Sequence, residues 1–536
     1  MCVGVEVSVV GNLEGVVIRS HLFKPDVGTS YPDFLRDESR RAGQADTLSF
    51  ALDEDDIRRV LAAGLPVTLQ GARTGITGGA VPGGGNLLNL SRMVRITGFR
   101  YDPARNTFLV TVQPGLPLVN LRKSLKTCHF ETDGWSGDSL EALARYRLSP
   151  PCFFPPDPTE TSATLGGMVA CNASGACTFH YGATRPYVES LRVILADGSV
   201  LSLRRGREKA EGRAFTLTTE AGRRIKGRLP DYTLPQVKNA AGYYSADDMD
   251  LVDLFIGSEG TLGVISEIEL RLVPLPACRW AVLAFFPSDA EAVSLVMTVR
   301  SLAPAERPVA IEYFDRHALD LLRDLKDAGG TVPGIPDLPA NCRTALYLEY
   351  HGDELQVADA VGAIPARMEA VGASGEAAWI ADSERELERF KLFRHAVPET
   401  VNRLIDERRK KEPEITKLGT DMAVPDTELQ AILTHYRTGL DEAGLEAVMF
   451  GHIGNNHVHV NILPRTLQDY ERGKDLYLQW ARQVLEMGGT VSAEHGIGKF
   501  KVALLREMLG DAGIRQMRDV KRVLDPDGLL NCGNLF

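Results

Sequence analysis

The chain has 536 residues, 44% of them hydrophobic and 24% charged, with a formal net charge of −11. That length predicts two or three domains and that balance a globular protein with a full core, while the acidic surplus argues against a nucleic-acid partner. No uncharged apolar run approaches the ~18–20 residues of a membrane span. Met1 to Glu6 lacks the basic and apolar regions of a secretory signal. Eight cysteines, none in a CxxC pair, fit reduced thiols in a cytoplasmic compartment, not a disulfide framework or a built-in iron–sulfur cluster.

In chain order, residues 1–45 are mixed, and Tyr31-Pro32-Asp33 with the charged run from Arg36 to Arg41 reads as a solvated helix entry. Asp53 to Leu61 reads as a helix whose acidic first turn suits the helix dipole. Strands are expected at 65–69, 86–90, 107–112, 190–195 and 262–273, with Asp197-Gly198 as a hairpin turn. This half is strand-rich without clear βαβ alternation, and its 134–152 segment carries no legible function. Pro274-Leu275-Pro276 marks a boundary. Beyond it, strands at 279–286 and 344–350 and helices at 290–302, 356–371 and 383–411 predict a second α+β domain.

Three glycine-rich segments in the first half suit a nucleotide. They are Gln70 to Gly79, Pro156 to Gly175 and Phe255 to Ile265. Glycines let backbone N–H groups close on phosphate oxygens, and Arg73, Thr74 and Thr77 add donors. None matches a phosphate-binding P-loop or the dinucleotide GxGxxG pattern.

Two segments near the C-terminus carry chemistry: Gly451-His452-Ile453-Gly454-Asn455-Asn456-His457-Val458-His459-Val460-Asn461 and Glu494-His495-Gly496-Ile497-Gly498-Lys499. Residues 458–462 alternate as a strand, so His457, His459 and Asn461 share a face. His452 is close enough for a turn to join it to His459. With Glu494 they form a set of imidazole and carboxylate suited to Zn²⁺, Mn²⁺ or Fe²⁺ with a position left open. His495 supplies a free imidazole and Lys499 an ammonium.

In this order, the three loops resemble the flavin-binding domain of the vanillyl-alcohol oxidase/PCMH flavoprotein family. The C-terminal motifs resemble its FAD-linked oxidase C-terminal domain, as in D-lactate dehydrogenase, D-2-hydroxyglutarate dehydrogenase and the flavin subunit of glycolate oxidase. Lys238-Asn239-Ala240-Ala241-Gly242-Tyr243 and the ending from Leu524 to Asn534 belong to the same resemblance. It implies an α+β fold: a PCMH-type FAD-binding domain of two α+β subdomains over 1–275, then a ferredoxin-like α+β substrate and metal domain with terminal helices over 276–536. Arg73, Thr74, Gly75, Thr77, Gly78 and Gly79 would wrap the FAD pyrophosphate. Pro156, Asp157, Thr161, Thr164, Gly166, Gly167, Asn172 and Gly175 would line flavin and ribityl. Glu259, Gly260, Gly263 and Ile265 would hold the adenine end, with Asn534 from the ending beside the cofactor. No histidine lies between Gln70 and Pro82, so the FAD would be non-covalent.

The resemblance also implies His452, His459 and Glu494 as ligands of a divalent metal. Relatives commonly read His-x-Gly-Asp-Gly-Asn-x-His; here Asn455, Asn456 and His457 replace Asp-Gly-Asn. The change leaves Zn, Mn and Fe open and makes His457 a neighbour of the ligands. Arg394 and Lys417 match positions that orient a substrate carboxylate, and His495 the general base. The expected substrate is a D-2-hydroxy acid of the lactate, glycolate or 2-hydroxyglutarate class, oxidised to the 2-oxo acid. Electrons would pass to a separate acceptor: a quinone, a cytochrome, an electron-transfer flavoprotein or an iron–sulfur subunit. The expected location is cytoplasmic, or peripheral at the inner membrane through a partner, and a homodimer stays open. Two alternatives share the scaffold: a flavin-dependent carbon–oxygen ligase of the alkylglycerone-phosphate synthase type, and a non-catalytic electron-transfer subunit.

Overall fold

The computed structural model of the chain describes residues 22–327 and 338–536. Most of residues 1–45 therefore lie within the description, but 1–21 do not.

The first half holds a three-stranded and a five-stranded sheet, and two more of two strands each. Strands Thr47–Phe50, Asn86–Asn89 and Val67–Gln70 form a small parallel sheet with Asn86–Asn89 in the middle. The two outer strands run parallel on either side of it, and helix Glu54–Ala62 is the crossover that joins them. That helix begins where expected: the Asp53 carboxylate accepts the Asp56 N–H at 2.9 Å. So one βαβ unit exists where alternation is not obvious in the sequence. Its strands are only four residues long, too short to show a period.

The second sheet is antiparallel and five-stranded, in the order Ile96–Asp102, Thr107–Val112, Val264–Arg271, Val188–Ile194, Val200–Arg204. The hairpin at Asp197-Gly198 forms, with Gly198 at φ 79°. The charged run 36–41 is not a helix. It is a turn closed by a bridge between Arg36 and Ala42. The 134–152 segment folds as helix Gly137–Arg147, which buries Ala142, Leu143 and Tyr146.

After Pro274 the chain builds a seven-stranded antiparallel sheet. Its order is Ala378–Ala381, Cys278–Phe286, Thr344–Gly352, Ala310–Phe314, Ala447–His452, His457–Ile462, Leu418–Gly419. The single helical pattern at 356–371 is two helices, Glu354–Gly362 and Ile364–Ala370. Pro365 lacks an N–H and restarts the helix at its first turn. The charged stretch is one helix, Glu384–Arg409, which buries Phe390, Phe393, Val397, Val401 and Ile405 and, apart from Arg394 and Arg408, keeps most of its charge toward solvent.

The antiparallel five-stranded sheet is tied to the third glycine loop by a buried ion cluster. Arg185 donates to the Asp253 and Ile256 carbonyls at 2.5 and 2.7 Å, and Arg205 grips the Asp253 carboxylate at 2.8 and 2.9 Å. Removing the shared carboxylate leaves Arg185 with carbonyl partners only and Arg205 with Asp250, at 3.8 Å, as its remaining anion. Asp253→Ala is therefore expected to destabilise the protein by about 3–5 kcal/mol, read as a lowered midpoint in urea unfolding.

Candidate active site

The three glycine loops converge. A Cβ on Gly71 would lie 2.2 Å from Thr164 Oγ1, and one on Gly175 would lie 2.0 Å from the Asp157 carbonyl. Asn531 Nδ2 donates to the Glu259 carbonyl at 2.6 Å, and Asn534 Nδ2 to the Gly79 carbonyl at 3.0 Å. The chain's last residues thus bind the first loop to the third. The second and third loops touch backbone to backbone, with the Gly257 and Glu259 N–H groups on the Val169 and Ala170 carbonyls at 3.0 and 2.8 Å, while Gly75 has open space beside it. Arg73 stands at φ 63° with its guanidinium over the Phe34 ring. This cradle of close-approaching backbone with an open side fits a bound dinucleotide such as FAD.

Other residues expected around the cofactor have mixed placements. Thr164 caps the helix Leu165–Ala170 through Gly167 N–H. Asn172, at φ 48°, accepts the Arg185 N–H, and Asp157 accepts the Cys177 N–H. The Pro156 carbonyl accepts from Arg122, and the Thr161 carbonyl from the Val119 N–H. Gly166 is pressed on Pro114, and Gly263 on Val193, so Gly263 serves sheet packing, as does Ile265 beside it in the core. Glu259, expected at the adenine end, has both carboxylate oxygens occupied. They accept the N–H groups of Ile497 and Gly498 at 2.6 and 2.7 Å. Lys499, read as an active-site ammonium, instead donates to the Val81 carbonyl at 2.8 Å and Asn534 Oδ1 at 2.9 Å. Those two oxygens hold it at the first loop.

The chemistry-bearing hairpin is Ala447–His452 with His457–Ile462. His452 faces His457 across it, and Phe450 faces His459. Asn456 turns the chain at φ 53°. Gly451 allows the His459 ring to cross the hairpin, since a Cβ there would sit 2.7 Å from His459 Cδ2. The ligand atoms of His452, His457, His459 and Glu494 all lie within 4.8 Å of one another. The expected trio is thus brought together, and His457 joins it.

Partners outside the cluster fix which imidazole nitrogens face inward. His452 Nδ1 is 2.7 Å from Glu312 Oε1, and its Nε2 is 3.1 Å from Glu494 Oε2. His459 Nδ1 meets the Thr420 carbonyl at 2.8 Å, which assigns its proton there and frees Nε2. Burial, reinforced by the positive charge of His452, pushes His459 down to about 4, so it is neutral and ready to ligate. Burial also works against a proton on His452, yet Glu312 and Glu494 outweigh it and hold that imidazole up at about 9, so an ion bound at Nε2 would displace a proton from it. Glu494 is held well below the usual carboxylate range: burial opposes this, but Lys238 and His452 prevail. Lys238 Nζ donates to Glu494 Oε2 at 2.6 Å. This donor set, buried and part-charged, fits a divalent ion.

Asp421 links the hairpin to the Glu494–Lys499 loop. It accepts the N–H groups of Glu494 and His495, both at 3.1 Å, the Ser492 hydroxyl at 2.8 Å and Lys501 Nζ at 2.5 Å. His495 Nδ1 lies 3.4 Å from it, so the other ring nitrogen is available. Arg394 is buried beside Glu312, 3.7 Å away, with its guanidinium over the Tyr347 ring and its Nε without a partner. Lys417 stands apart from this group; its ammonium donates to Asn402 at 2.8 Å.

Asp421, Glu312 and Lys238 escaped the sequence reading. Glu312 had a signal, a lone charge inside the apolar run 309–314. Lys238 lay inside a segment already singled out. Asp421 had no signal of its own.

Two family models match: "FAD linked oxidases, C-terminal domain" over residues 275–535 and "FAD binding domain" over 135–204. A probable mitochondrial D-lactate dehydrogenase of Danio rerio is 30% identical over 88% of this chain and 80% of its own. A D-2-hydroxyglutarate dehydrogenase of Xanthomonas citri pv. viticola is 28% identical over 90% and 86%, and the glycolate oxidase subunit GlcD of Bacillus subtilis 26% over 90% and 87%. Among solved structures, an alkyldihydroxyacetonephosphate synthase superposes with a TM-score of 0.59 at 15% identity, over 92% of this chain and 76% of that one. That likeness shows the fold alone. The fold and the loops define an FAD-dependent oxidoreductase. The chain belongs to the FAD-linked oxidase family that these dehydrogenases represent.

The Glu259 clamp generates a pH prediction. Burial lifts its carboxyl to about 6 against two backbone N–H donors and Lys501. A carboxyl raised in the folded state stays protonated there after the unfolded chain has ionised. Stability is therefore fully present below the unfolded value and declines as pH rises through about 6, by about 2 kcal/mol. Glu259→Gln should remove that component, seen by comparing unfolding midpoints of both proteins from pH 4 to about 7.

Proposed function

We propose that this enzyme oxidises a D-2-hydroxy acid of the lactate, glycolate or 2-hydroxyglutarate class to the 2-oxo acid. Residues 1–275 would form the flavin half and 276–536 the substrate half. The observation that carries the reading is Glu312. Its one carboxylate touches His452 at 2.7 Å and Arg394 at 3.7 Å. A metal-ligand cluster and an anion grip therefore stand side by side, as a hydroxyl and carboxylate on adjacent carbons require.

FAD, held non-covalently, supplies the two-electron acceptor when bound. A divalent ion, Zn, Mn or Fe, when held by His452, His459 and Glu494, lowers the pKa of the substrate hydroxyl. The rest is the work of the chain. Arg394 presents its unpartnered Nε–H to the substrate carboxylate, which fixes the acid's orientation and excludes rotation about the C1–C2 bond. Lys417, in the loop that follows Arg394's helix and bound to Asn402 on it, adds positive potential farther off. Asp421 holds His495 by Nδ1, and the opposite ring nitrogen takes the hydroxyl proton. Lys238, paired with Glu494 at 2.6 Å, keeps that carboxylate ionised. Among the described residues no helix is long and apolar enough to cross a membrane. Electrons leave to a separate acceptor, such as a cytochrome, quinone, electron-transfer flavoprotein or iron–sulfur subunit, in the cytoplasm or at the face of the inner membrane.

Two measurements check this. Anaerobic mixing with D- and L-lactate, glycolate and D-2-hydroxyglutarate should bleach the flavin with one of them. Prior chelation should abolish the bleaching, and added Zn²⁺ or Mn²⁺ should restore it. A yellow protein that none of them bleaches would overturn the dehydrogenase reading. Arg394→Lys keeps the charge and loses the planar fork, so kcat/KM should fall about 10–100-fold, chiefly through KM, with flavin content unchanged.

A further inference from the structure

His457 has no assigned role, yet its environment is that of a ligand. Its side chain is fully buried, at 0% exposure. Neither ring nitrogen has a hydrogen-bond partner. Nε2 is 3.1 Å from Asp421 Oδ1 but off the line of a hydrogen bond, and Nδ1 is 3.6 Å from Glu494 Oε2. The ring is 4.2 Å from that of His459 and 5.4 Å from that of His452, centre to centre. A fully buried imidazole with two unsatisfied nitrogens is costly in a core. The cost is removed if one nitrogen binds an ion and the other leans on Asp421.

We infer that His457, through Nδ1, is a fourth protein ligand, making the centre a three-histidine, one-carboxylate site. The inference rests on the metal reading above and deepens it. Two ligands each about 2.0–2.2 Å from one ion stand roughly 3.3–3.6 Å apart in a tetrahedron, and in an octahedron about 2.8–3.1 Å apart when adjacent and about 4.0–4.4 Å when opposite. The two spacings to Glu494, 3.1 Å from His452 and 3.6 Å from His457, are of that size, and the whole set stays within 4.8 Å. Asp421 beside Nε2 is the outer carboxylate that a ligating histidine commonly has. Four protein ligands fill a tetrahedral ion. Substrate then enters only by expansion to five or six donors, which favours Mn²⁺ or Fe²⁺, or Zn²⁺ in a five-coordinate state.

The test uses the full-length flavoprotein, stripped of metal and titrated with Co²⁺ and Zn²⁺ against a competing chelator. Wild type, His457→Asn and His459→Ala are compared. Asparagine is smaller and polar, so the fold should persist, and retained flavin and an unchanged unfolding midpoint verify that. For His457→Asn the Co²⁺ visible bands should shift and weaken as an imidazole is lost, and affinity for both ions should fall more than the ~10–100-fold typical of an outer partner. Unchanged Co²⁺ bands in His457→Asn, whatever the affinity, would place His457 outside the coordination sphere and overturn the inference. If wild type itself takes up neither ion, or His459→Ala binds as wild type does, the metal centre as a whole is wrong. The two failures are thus separable.

Discussion

A single buried carboxylate, Asp421, holds the candidate site together. The histidine hairpin and the Glu494–Lys499 loop are separated by the helix Leu467–Glu486, and no local sequence preference would set one against the other. Asp421 touches His457 on the first and the backbone and His495 ring of the second. Its burial would raise its pKa, but Lys501 and His495 hold it well below the carboxylate range. A buried anion is tolerated only when so many donors surround it. Satisfying those donors leaves one arrangement of the loop.

The same loop is gripped from the other side by Glu259, which belongs to the third glycine loop. One carboxylate from each half of the chain thus fixes the segment that carries the proposed base. The two halves cannot shift relative to one another without breaking hydrogen bonds to a buried charge. This couples the cofactor cradle to the site where substrate would sit. Proximity of the two is what a hydrogen transfer needs.

Beyond Asp421, charge alternates along one buried line: Lys238, Glu494, His452, Glu312, Arg394, with successive spacings of 2.6, 3.1, 2.7 and 3.7 Å. Each group offsets the desolvation of its neighbours, and none would be stable alone. The line ends at a guanidinium with an unpartnered Nε–H, so the unmet demand at its end is for an anion. Metal cluster and substrate grip are in this sense one electrostatic object, and its direction follows from which end is left open.

Much of this architecture was legible in the sequence. Alternation over 458–462 placed His457 and His459 on one face, and the glycine loops with the C-terminal motifs pointed to the family, because strand periodicity and turn residues act over a few neighbours. Where a cue was local but weak the reading slipped: the run 36–41 has charge without an apolar stripe and is a turn, and Pro365 divides one apparent helix into two. The sequence by itself determined the elements, the ligand types and the chemical class. Only the tertiary structure decided that Lys499 serves as a strap, that Glu259 clamps the base loop, and that Asp421, Glu312 and Lys238 belong to the site. Those roles come from contacts of buried polar groups far apart in sequence, from 71 residues between Asp421 and Ser492 to 418 between Lys499 and Val81, and burial and partner distance exist only once the chain has folded.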